Sequence, residues 1–558
     1  MMLYREICSV YEKLEKISSK IAKTEILSNL FKKAELEDVR YVVLLSTGTI
    51  YLPFENRELG IAHKLAMRAI AKSTGFDIKE IEELYVKFGD LGKVAEHCVK
   101  NRKQKIFFRK QLTVKEVYEK LREIGFFEGA GSQDKKILTL AGLLNFSEPI
   151  EARYLIRTVL EELRIGVAEG IIRDAIARAF TKNDVDAVEY AWNIISDFGE
   201  VARIAKEGGV EKLYEVKPIL GRPIQVMLGV KAESIEEVVR RHGKVFVEIK
   251  YDGLRLQVHK KGNQVWLFTR RLEEVTNQFP DVVEAVRESI KADECIVEGE
   301  AWPIDPNTKL PMPFQKLSQR IHRKYDIEKM VKEIPVQLNL FDVLYLNGQT
   351  LFRKPLRERR EILKSILIES EKVKIAESIF SDNVEEIKKF YEYALSIKQE
   401  GIFLKNPESF YIFGRHVGGW YKIKPTMETL DVVIIGAEYG EGARSKWLSS
   451  YLFAVRDENT GEFLTCGMGG TGLTEEQFEH MTELLEPLII KREGKFVWVK
   501  PKIVVEVSYQ EIQKSPTYSS GYALRFPRIE RIRFDKGPNE VDTLSRLEEL
   551  YKSQGKSG

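Results

Sequence analysis

The chain contains 558 residues and is 43% hydrophobic, a length that suits about three or four domains and excludes a single small domain. Its 88 Lys and Arg residues nearly balance 85 Asp and Glu residues, for a net charge of +3, so any nucleic-acid binding must come from local patches rather than from a basic tail. No apolar run approaches the roughly 18 residues that a membrane span needs, and the charged start is not typical of a signal peptide, so we expect an intracellular protein without membrane contact.

The pattern of apolar residues changes twice along the chain. Residues 1–216 show apolar positions at steps of four, which predicts an all-helical domain. Residues 217–424 alternate strand-like and helical segments and predict an α+β domain, in which 336–345 reads as a buried strand. Residues 425–558 contain short strands spaced as in a small β-barrel, followed by a polar tail. The fold class we expect is therefore multidomain, with one all-α, one α+β and one β-barrel domain.

The segment from Glu248 to Arg255 is the most informative one for chemistry. Apolar and polar residues alternate there, so a strand would bury one face and present Glu248 and Lys250 as neighbours on the other. Gly253 interrupts the alternation, which resumes after it as in a hairpin. A lysine amine placed beside a carboxylate and an arginine is a candidate nucleophile.

Further segments with charged or aromatic residues follow Lys250 in the α+β region. Trp420, Lys422 and Lys424 alternate along one strand, so their side chains would share a face. In chain order, the segments are Thr269-Arg270-Arg271, Glu298-Gly299-Glu300, Phe341-Asp342, Glu400-Gly401 and Trp420-Tyr421-Lys422-Ile423-Lys424.

These segments, in this order, resemble the motif series of the covalent nucleotidyltransferases, the superfamily of ATP-dependent DNA ligases, RNA ligases and messenger RNA capping enzymes. Residues 128–136 and 164–170 in the helical region, and residues 524–528 and 533–536 in the last region, extend the resemblance to archaeal replicative ATP-dependent DNA ligases over almost the whole chain. The resemblance implies a helical DNA-binding domain, an adenylation domain and an OB-fold domain. It also implies that the protein seals 5′-phosphate, 3′-hydroxyl nicks in duplex DNA through a lysyl-AMP intermediate.

The resemblance also implies roles for single residues. Lys250 would attack the α-phosphate of ATP, which requires the neutral amine. Glu300 and Glu400 would hold Mg²⁺, for which Mn²⁺ could substitute, because magnesium prefers oxygen ligands and substrate phosphates. The residues assigned to ATP or AMP binding are Glu248, Arg255, Arg270, Glu300, Phe341, Lys422, Lys424, Arg533 and Lys536.

Several of these residues have a plain structural alternative. Glu300 and Glu400 could be ordinary exposed carboxylates, and Phe341 could be a core residue, since aromatic side chains dominate cores. Arg533, Asp535 and Lys536 could form a surface ion-pair cluster.

Two sets of residues are candidates for binding macromolecules. Lys135, Lys136, Arg164 and Arg173 could contact DNA phosphates, or could be a solvated helix face. Gln104, Phe107 and Phe108 lie in a basic stretch that resembles the short peptide by which archaeal ligases bind the ring-shaped, PCNA-like sliding clamp; the alternative is that both aromatics belong to the core. We expect a monomer in the archaeal cytoplasm, associated with the nucleoid.

Rival functions make different demands on the sequence. The helical domain and Phe341 count against a capping guanylyltransferase, and the long DNA-embracing architecture that the resemblance implies counts against an RNA ligase. An NAD-dependent ligase would need a zinc finger that four scattered cysteines cannot supply. A noncatalytic scaffold for DNA or the clamp predicts loss of Lys250 or of the motif carboxylates, which are present. Use of ADP or NAD beside ATP stays open.

Overall fold

The computed structural model describes residues 1–103, 110–308, 310–312, 314–321, 323, 325–414, 418–425, 429–441 and 444–554, without the side chains of residues 314, 315, 318 and 319. It divides into two compact units, Met1–Lys424 and Pro425–Gly558, which are described separately. In the described residues, no helix is both long enough and apolar enough to cross a membrane.

The described part of residues 1–216 is built from helices. Many begin at a residue whose side chain accepts a hydrogen bond from the first turn, as Ser19, Asp90 and Thr113 do. The helices are α1 (Tyr4–Glu15), α2 (Lys20–Lys33), α3 (Leu36–Thr47), α4 (His63–Thr74), α5 (Ile78–Phe88), α6 (Leu91–Lys100), α7 (Val114–Ile124), α8 (Ser132–Phe146), α9 (Pro149–Val159), α10 (Glu169–Phe180), α11 (Val185–Ile195) and α12 (Phe198–Tyr214), the last with a non-helical backbone at Gly209.

One continuous apolar core holds these helices together, and Tyr4, Tyr11 and Phe31 are among its fully buried members. A buried ion-pair cluster lies within it. Arg157 donates to Asp90 at 2.6 Å and also pairs with Glu15. Because a buried charge is tolerated only when paired, this cluster fixes α1, α6 and α9 to one another.

Two sheets form the rest of the first unit. The five-stranded sheet has the order β1-β11-β10-β2-β9, and the six-stranded sheet has the order β4-β3-β5-β6-β7, with β8 added along β6. The strands are β1 (Val230–Lys231), β2 (Val245–Lys250), β3 (Leu254–Lys261), β4 (Gln264–Thr269), β5 (Glu294–Pro303), β6 (Val336–Leu346), β7 (Gln349–Thr350), β8 (Val373–Ile375), β9 (Ser378–Ser381), β10 (Gly401–Lys405) and β11 (Trp420–Ile423). The helices are α13 (Ile235–His242), α14 (Pro280–Ser289), α15 (Phe314–Ile321), α16 (Ile327–Glu333), α17 (Leu356–Ile366) and α18 (Val384–Ser396).

Two apolar cores position these sheets. One core joins residues of both sheets, including Val247 and Phe341. The other covers the opposite face of the six-stranded sheet and includes Val258 and Leu338. The alternate residues of β3, β5 and β6 therefore face the five-stranded sheet rather than the second core.

The second unit is a mostly antiparallel sheet around a separate core. Its main order is β14-β13-β12-β16-β15, with β17 pairing both β12 and β20, and β18 and β19 form a separate hairpin. The elements are β12 (Leu430–Tyr439), β13 (Leu448–Arg456), β14 (Phe463–Gly469), α19 (Glu475–Leu485), β15 (Ile489–Glu493), β16 (Phe496–Val499), β17 (Val504–Ser508), β18 (Glu511–Lys514), β19 (Tyr522–Arg525), β20 (Arg528–Ile532) and α20 (Leu544–Ser553).

The strand ladders of this unit branch and do not close into a ring among the described residues. A single bridge joins Thr471 to Arg528, beside the ends of β14 and β20. The second unit is thus an OB-like sheet whose strands do not close into a barrel among the described residues. The expected combination of an all-α, an α+β and an OB-fold domain is confirmed.

Candidate active site

The strand register collects charged residues on one face of the five-stranded sheet. Lys250 lies opposite Gly401, and Glu248 lies opposite Phe403, which in turn lies opposite Lys422. Directly opposite residues in a sheet share a face, so Glu248, Lys250 and Lys422 point to the same side. Lys424 follows β11 two residues after Lys422.

Two ammonium groups share one carboxylate on this face. Lys250 and Lys424 each form an ion pair with Oε2 of Glu400. Burial of Glu400 alone would raise its pKa, but the two lysines outweigh burial and hold the pKa of Glu400 below its ordinary value. Glu400 is therefore an anion that anchors Lys250, whose side chain is only 17% exposed.

Gly401 is the reason that Glu400 can reach both lysines. Its φ is +138°, and a Cβ at this position would collide with the backbone oxygen of Ile423. Only glycine allows this approach of β10 to β11. The backbone N–H of Glu400 also donates to the oxygen of Lys250 at 3.0 Å, which holds the turn against β2.

The six-stranded sheet presents a second row of polar residues. Glu300 lies directly opposite Arg255 on one side and Asn339 on the other. Burial raises the pKa of Glu300 to about 7, against the opposing effect of the Lys250 and Arg255 charges. Glu300 is thus poised to exchange a proton near neutral pH.

Arg255 is held firmly rather than projecting freely. Its Nη2 donates to Glu298 at 2.7 Å and its Nη1 to the backbone oxygen of Met227 at 2.7 Å. Although burial opposes the charge, the Glu298 carboxylate contributes to holding the pKa of Arg255 above its ordinary value. Glu298 is fully buried and also accepts a 2.8 Å hydrogen bond from Tyr411. Sequence reasoning assigned no role to Glu298, although it lies in a quoted segment, or to Tyr411, which lies in a stretch that no motif covers.

Phe341 is the extra residue of a β-bulge. Glu298 pairs with Asp342 and Gly299 with Leu340, so Phe341 has no partner across the ladder. A bulge re-aims a side chain, and the Phe341 ring stands at 84° to the Trp420 ring with centroids 5.9 Å apart. Phe341 is 9% exposed and belongs to the core that joins the two sheets.

Glu248 is enclosed by two cations. It pairs with Lys405 and with Arg360, and all three side chains are buried. The Lys405 ammonium also lies 4.1 Å from the Trp420 ring centroid and 4.5 Å from that of Phe341. Sequence reasoning missed Lys405, which ends β10, and Arg360, for which helix α17 offered no signal.

Buried polar atoms without hydrogen-bond partners in the described residues concentrate here. Such atoms are rare in folded proteins, and their presence in one place indicates that a ligand or water completes them. On or beside the sheet faces just described they are Arg255 Nε, Glu298 Oε1, Trp302 Nε1, Asn339 Nδ2 and Trp420 Nε1.

The carboxylates fit a magnesium ion that is bound partly by substrate. No group of three or more His, Cys, Asp or Glu side chains able to hold a metal is found in the residues that the structure describes. Glu300 and Glu400 are two oxygen donors, and Mg²⁺ is commonly bound by one or two carboxylates together with substrate phosphates.

Arg270 follows β4 and lines a cleft of about 970 Å³ between the helical segment and the six-stranded sheet. Arg57 and Glu274 lie along the same cleft. The side-chain amide of Asn56, which also lines this cleft, donates to the backbone oxygen of Glu274 at 2.5 Å.

In the second unit, Arg533 and Lys536 both bind Asp431. The Arg533 guanidinium lies 3.0 Å from Asp431, and the Lys536 ammonium lies 2.6 Å from it. Arg533 also pairs with Asp535 at 2.7 Å. The free protein therefore forms the ion-pair cluster that was the structural alternative for these residues, and Asp431 is a partner that sequence reasoning missed.

The candidate DNA-binding residues differ in their surroundings. Lys135 is exposed, whereas Lys136 donates to the backbone oxygen of Leu59 at 2.7 Å. Arg164 is exposed and pairs with Glu162. Arg173 lies between two carboxylates, those of Asp174 and Glu189, each at 2.9 Å. The candidate clamp residues Gln104, Phe107 and Phe108 lie outside the described residues.

The lysine and carboxylate residues on the faces of the two sheets lie in the segments that resemble the motif series of the covalent nucleotidyltransferases. Residues 3–177 match a family model described as DNA ligase N terminus, residues 226–424 match the ATP dependent DNA ligase domain, and residues 444–536 match the ATP dependent DNA ligase C terminal region. The chain therefore belongs to the ATP-dependent DNA ligase family.

Individual proteins support the same assignment. The chain is 51% identical to the DNA ligase of Nanoarchaeum equitans (strain Kin4-M) over 99% of both chains. It is 46% identical to that of Archaeoglobus fulgidus, again over 99% of both. A solved structure called Pmar-Lig_Pre covers 95% of this chain and 99% of its own, with a TM-score of 0.57 and 17% identity, which supports the fold alone.

Proposed function

We propose that the chain seals nicks between a 3′-hydroxyl and a 5′-phosphate in duplex DNA, using ATP and a lysyl-AMP intermediate on Lys250. The observation that carries the proposal is the ion pair of Lys250 with Glu400, on a sheet face that also holds Lys424 and Lys422. A buried nucleophile anchored beside further cations suits attack on a phosphate.

In the first step, the Lys250 amine bonds to the α-phosphorus of ATP, and the bond to pyrophosphate breaks. Lys250 must lose its proton to solvent before the attack, and the Glu400 carboxylate holds the side chain in place through their ion pair. Lys422 and Lys424 would offset the negative charge that builds up on the phosphate oxygens. Glu300 and Glu400 would hold Mg²⁺, which when bound neutralises phosphate oxygens.

The adenine and ribose would lie between the two sheets. Phe341 is our candidate for stacking on the base, because the bulge turns its ring toward Trp420. Glu248 and Lys405 would border the same space, and the unpartnered Asn339 Nδ2 and Arg255 Nε offer donors to the sugar and phosphate.

In the second and third steps, AMP passes from Lys250 to the 5′-phosphate, and the 3′-hydroxyl then displaces it. Arg255 and Arg270 are the candidates for holding the 5′-phosphate, since a guanidinium can bind two phosphate oxygens. Arg533 and Lys536 would orient the pyrophosphate in the first step, after exchanging Asp431 for ATP.

The helical segment would hold the duplex. Exposed Lys135 and Arg164 are the leading phosphate contacts, although Arg164 would first release Glu162. The less exposed Lys136 and Arg173 would also have to release protein partners. Gln104, Phe107 and Phe108 would bind the sliding clamp. We further propose domain boundaries at 216/217 and 424/425, a monomeric state, and a location at the cytoplasmic nucleoid.

A labelling and chase experiment tests the proposal. The protein is incubated with magnesium and ATP labelled at the α-phosphate, denatured to detect label, and in parallel chased with nicked DNA or nicked RNA. We expect label that Lys250→Ala abolishes and that moves to DNA ends. Transfer only to RNA ends would favour an RNA ligase, and no label would contradict the proposal.

A further inference from the structure

Lys23 in α2 is a buried lysine that pairs with backbone rather than with a carboxylate. It is 6% exposed, and its ammonium donates to the backbone oxygens of Ile165 at 2.7 Å and of Gly166 at 2.9 Å. No carboxylate lies within ion-pair distance of it among the described side chains. Burial lowers the pKa of Lys23. A buried charge without an anion is costly, so its two bonds to one loop require an explanation.

The loop whose carbonyls accept the Lys23 hydrogen bonds, residues 164–168, has an unusual backbone. Arg164 has a φ of +56° and Gly166 a φ of +62°. A Cβ at Gly166 would collide with the Lys23 ammonium. The glycine and the lysine therefore fit one another, and a larger residue at 166 would displace the ammonium and strain the backbone.

The two carbonyls determine where the neighbouring amides point. In a trans peptide, the C=O and the following N–H point in opposite directions. Because Lys23 binds both carbonyls, the N–H groups of Gly166 and Val167 point away from it. Neither N–H donates a hydrogen bond to another described group.

The outer side of the loop is open. Arg164, Gly166 and Ala168 are exposed, and Ile165 between them is buried at 3%. Gly170, in the first turn of α10, also has open space where a Cβ would lie. Small residues let a phosphate approach the backbone closely, and backbone N–H groups are common phosphate donors.

We propose that Lys23 is a positioning residue for DNA: by holding the carbonyls of Ile165 and Gly166 inward, it aims the N–H groups of Gly166 and Val167 outward at a phosphate of the duplex, beside Arg164. This inference rests on the proposed function in DNA. Lys23 touches no DNA itself and acts only through the loop.

The test compares two variants that break this grip with a control. Lys23→Met removes the charge and keeps the length. Gly166→Ala keeps the charge and pushes the ammonium away. Lys32→Met removes one exposed charge from the same helix and controls for net charge. For each full-length variant we would measure self-adenylation with ATP, the KM and kcat for ligation of nicked DNA, the direct affinity for that duplex, and amide hydrogen exchange of residues 165–168 with and without DNA.

We expect Lys23→Met and Gly166→Ala to raise the KM for nicked DNA and weaken duplex affinity about tenfold, the loss of one or two phosphate hydrogen bonds. Self-adenylation and kcat should stay at the wild-type level, and protection of 166–167 by DNA should disappear. Lys32→Met should behave as wild type. Equal loss of self-adenylation and ligation would assign Lys23 to general stability and overturn the inference, as would unchanged affinity and protection.

Failure of the proposed function is distinguishable, because it appears in the wild type. A wild-type protein that binds the duplex without joining it would contradict the ligase and leave the Lys23 comparison readable from affinity and exchange. If one variant does not fold, the other still decides, since the two act through different atoms.

Discussion

Lys250 and Lys424 bind the same oxygen of one carboxylate, Oε2 of Glu400. Two like charges at this separation would repel each other without it. Glu400 thus joins β2 to the end of β11, and it does so with a pKa that the two lysines hold low. Glu400 is therefore an anchor for the candidate nucleophile Lys250 as well as a candidate metal ligand.

Glu400→Gln tests this anchor. The amide keeps the size but loses the charge, so Lys250 and Lys424 would separate and the amine would lose its place. We expect the rate of self-adenylation to fall about 100-fold, as for removal of one preorganised electrostatic partner. The rate is measured from label on the chain. Glu408→Gln, which removes an exposed carboxylate paired with Arg357, is the matched control and should be neutral. A wild-type rate in Glu400→Gln would exclude the anchoring role.

The raised pKa of Glu300 predicts how the free energy of unfolding depends on pH. Its pKa is about 7 in the folded chain against an ordinary 4.5, so between those values the unfolded state ionises while the folded state stays protonated. The folded state then binds more protons, and Glu300 reduces the free energy of unfolding as pH rises through this window. Glu300→Gln should melt at a higher temperature than wild type at pH 8 and at a similar temperature near pH 4.5.

Ionisation of Glu300 lowers the free energy of unfolding but should raise the rate of self-adenylation. Because a carboxylate must be ionised to hold Mg²⁺, wild-type self-adenylation should rise as pH passes about 7. Glu300→Gln should lose that rise and need more magnesium. Thermal melts and adenylation rates from pH 5 to 8 check both statements, and identical pH profiles for the two proteins would rule out the assignment.

The buried ion pair of Glu248 and Lys405 borders the space proposed for the nucleotide, and its contribution to the free energy of unfolding can be measured. Glu248→Gln leaves the buried Lys405 and Arg360 charges without their carboxylate, so it should lower the free energy of unfolding by about 3 to 5 kcal/mol. Lys405→Met leaves Glu248 paired with Arg360 and should cost less, and the double variant should cost less than the sum of the two single variants. Chemical denaturation of the four proteins gives the coupling energy. Strict additivity would show that the two side chains do not depend on each other.

Asp431 tests the role of Arg533 and Lys536. If these cations serve ATP, Asp431 competes with the nucleotide for them, and Asp431→Asn should lower the KM for ATP in self-adenylation by about threefold, the scale of one partly exposed ion pair. Arg533→Ala should instead slow the reaction. Steady-state adenylation kinetics distinguish these effects. A variant that changes only the melting temperature would leave the cluster with a structural role alone.

Local pattern was enough to predict part of the site. Alternation along single strands placed Glu248 beside Lys250 and Trp420 beside Lys422, because side-chain direction in a strand depends only on residue parity. Lys424, expected on the same strand, lies just past the end of β11. The three architectures followed from periodicity and from the family resemblance.

Other features depend on pairing between distant segments. Arg360 reaches Glu248 from a helix 112 residues away, and Asp431 lies 102 residues from Arg533. The bulge that turns Phe341 is a register shift between two strands, which neither strand shows alone. Such features need the tertiary structure.

The most direct test of the central claim is to locate the adduct. The protein is incubated with magnesium and ATP, digested under conditions that preserve a phosphoramidate, and examined by mass spectrometry. The account predicts AMP on the peptide that contains Lys250, lost in Lys250→Arg and kept in Lys405→Arg. AMP on another residue, or an adduct that persists in Lys250→Arg, would contradict it.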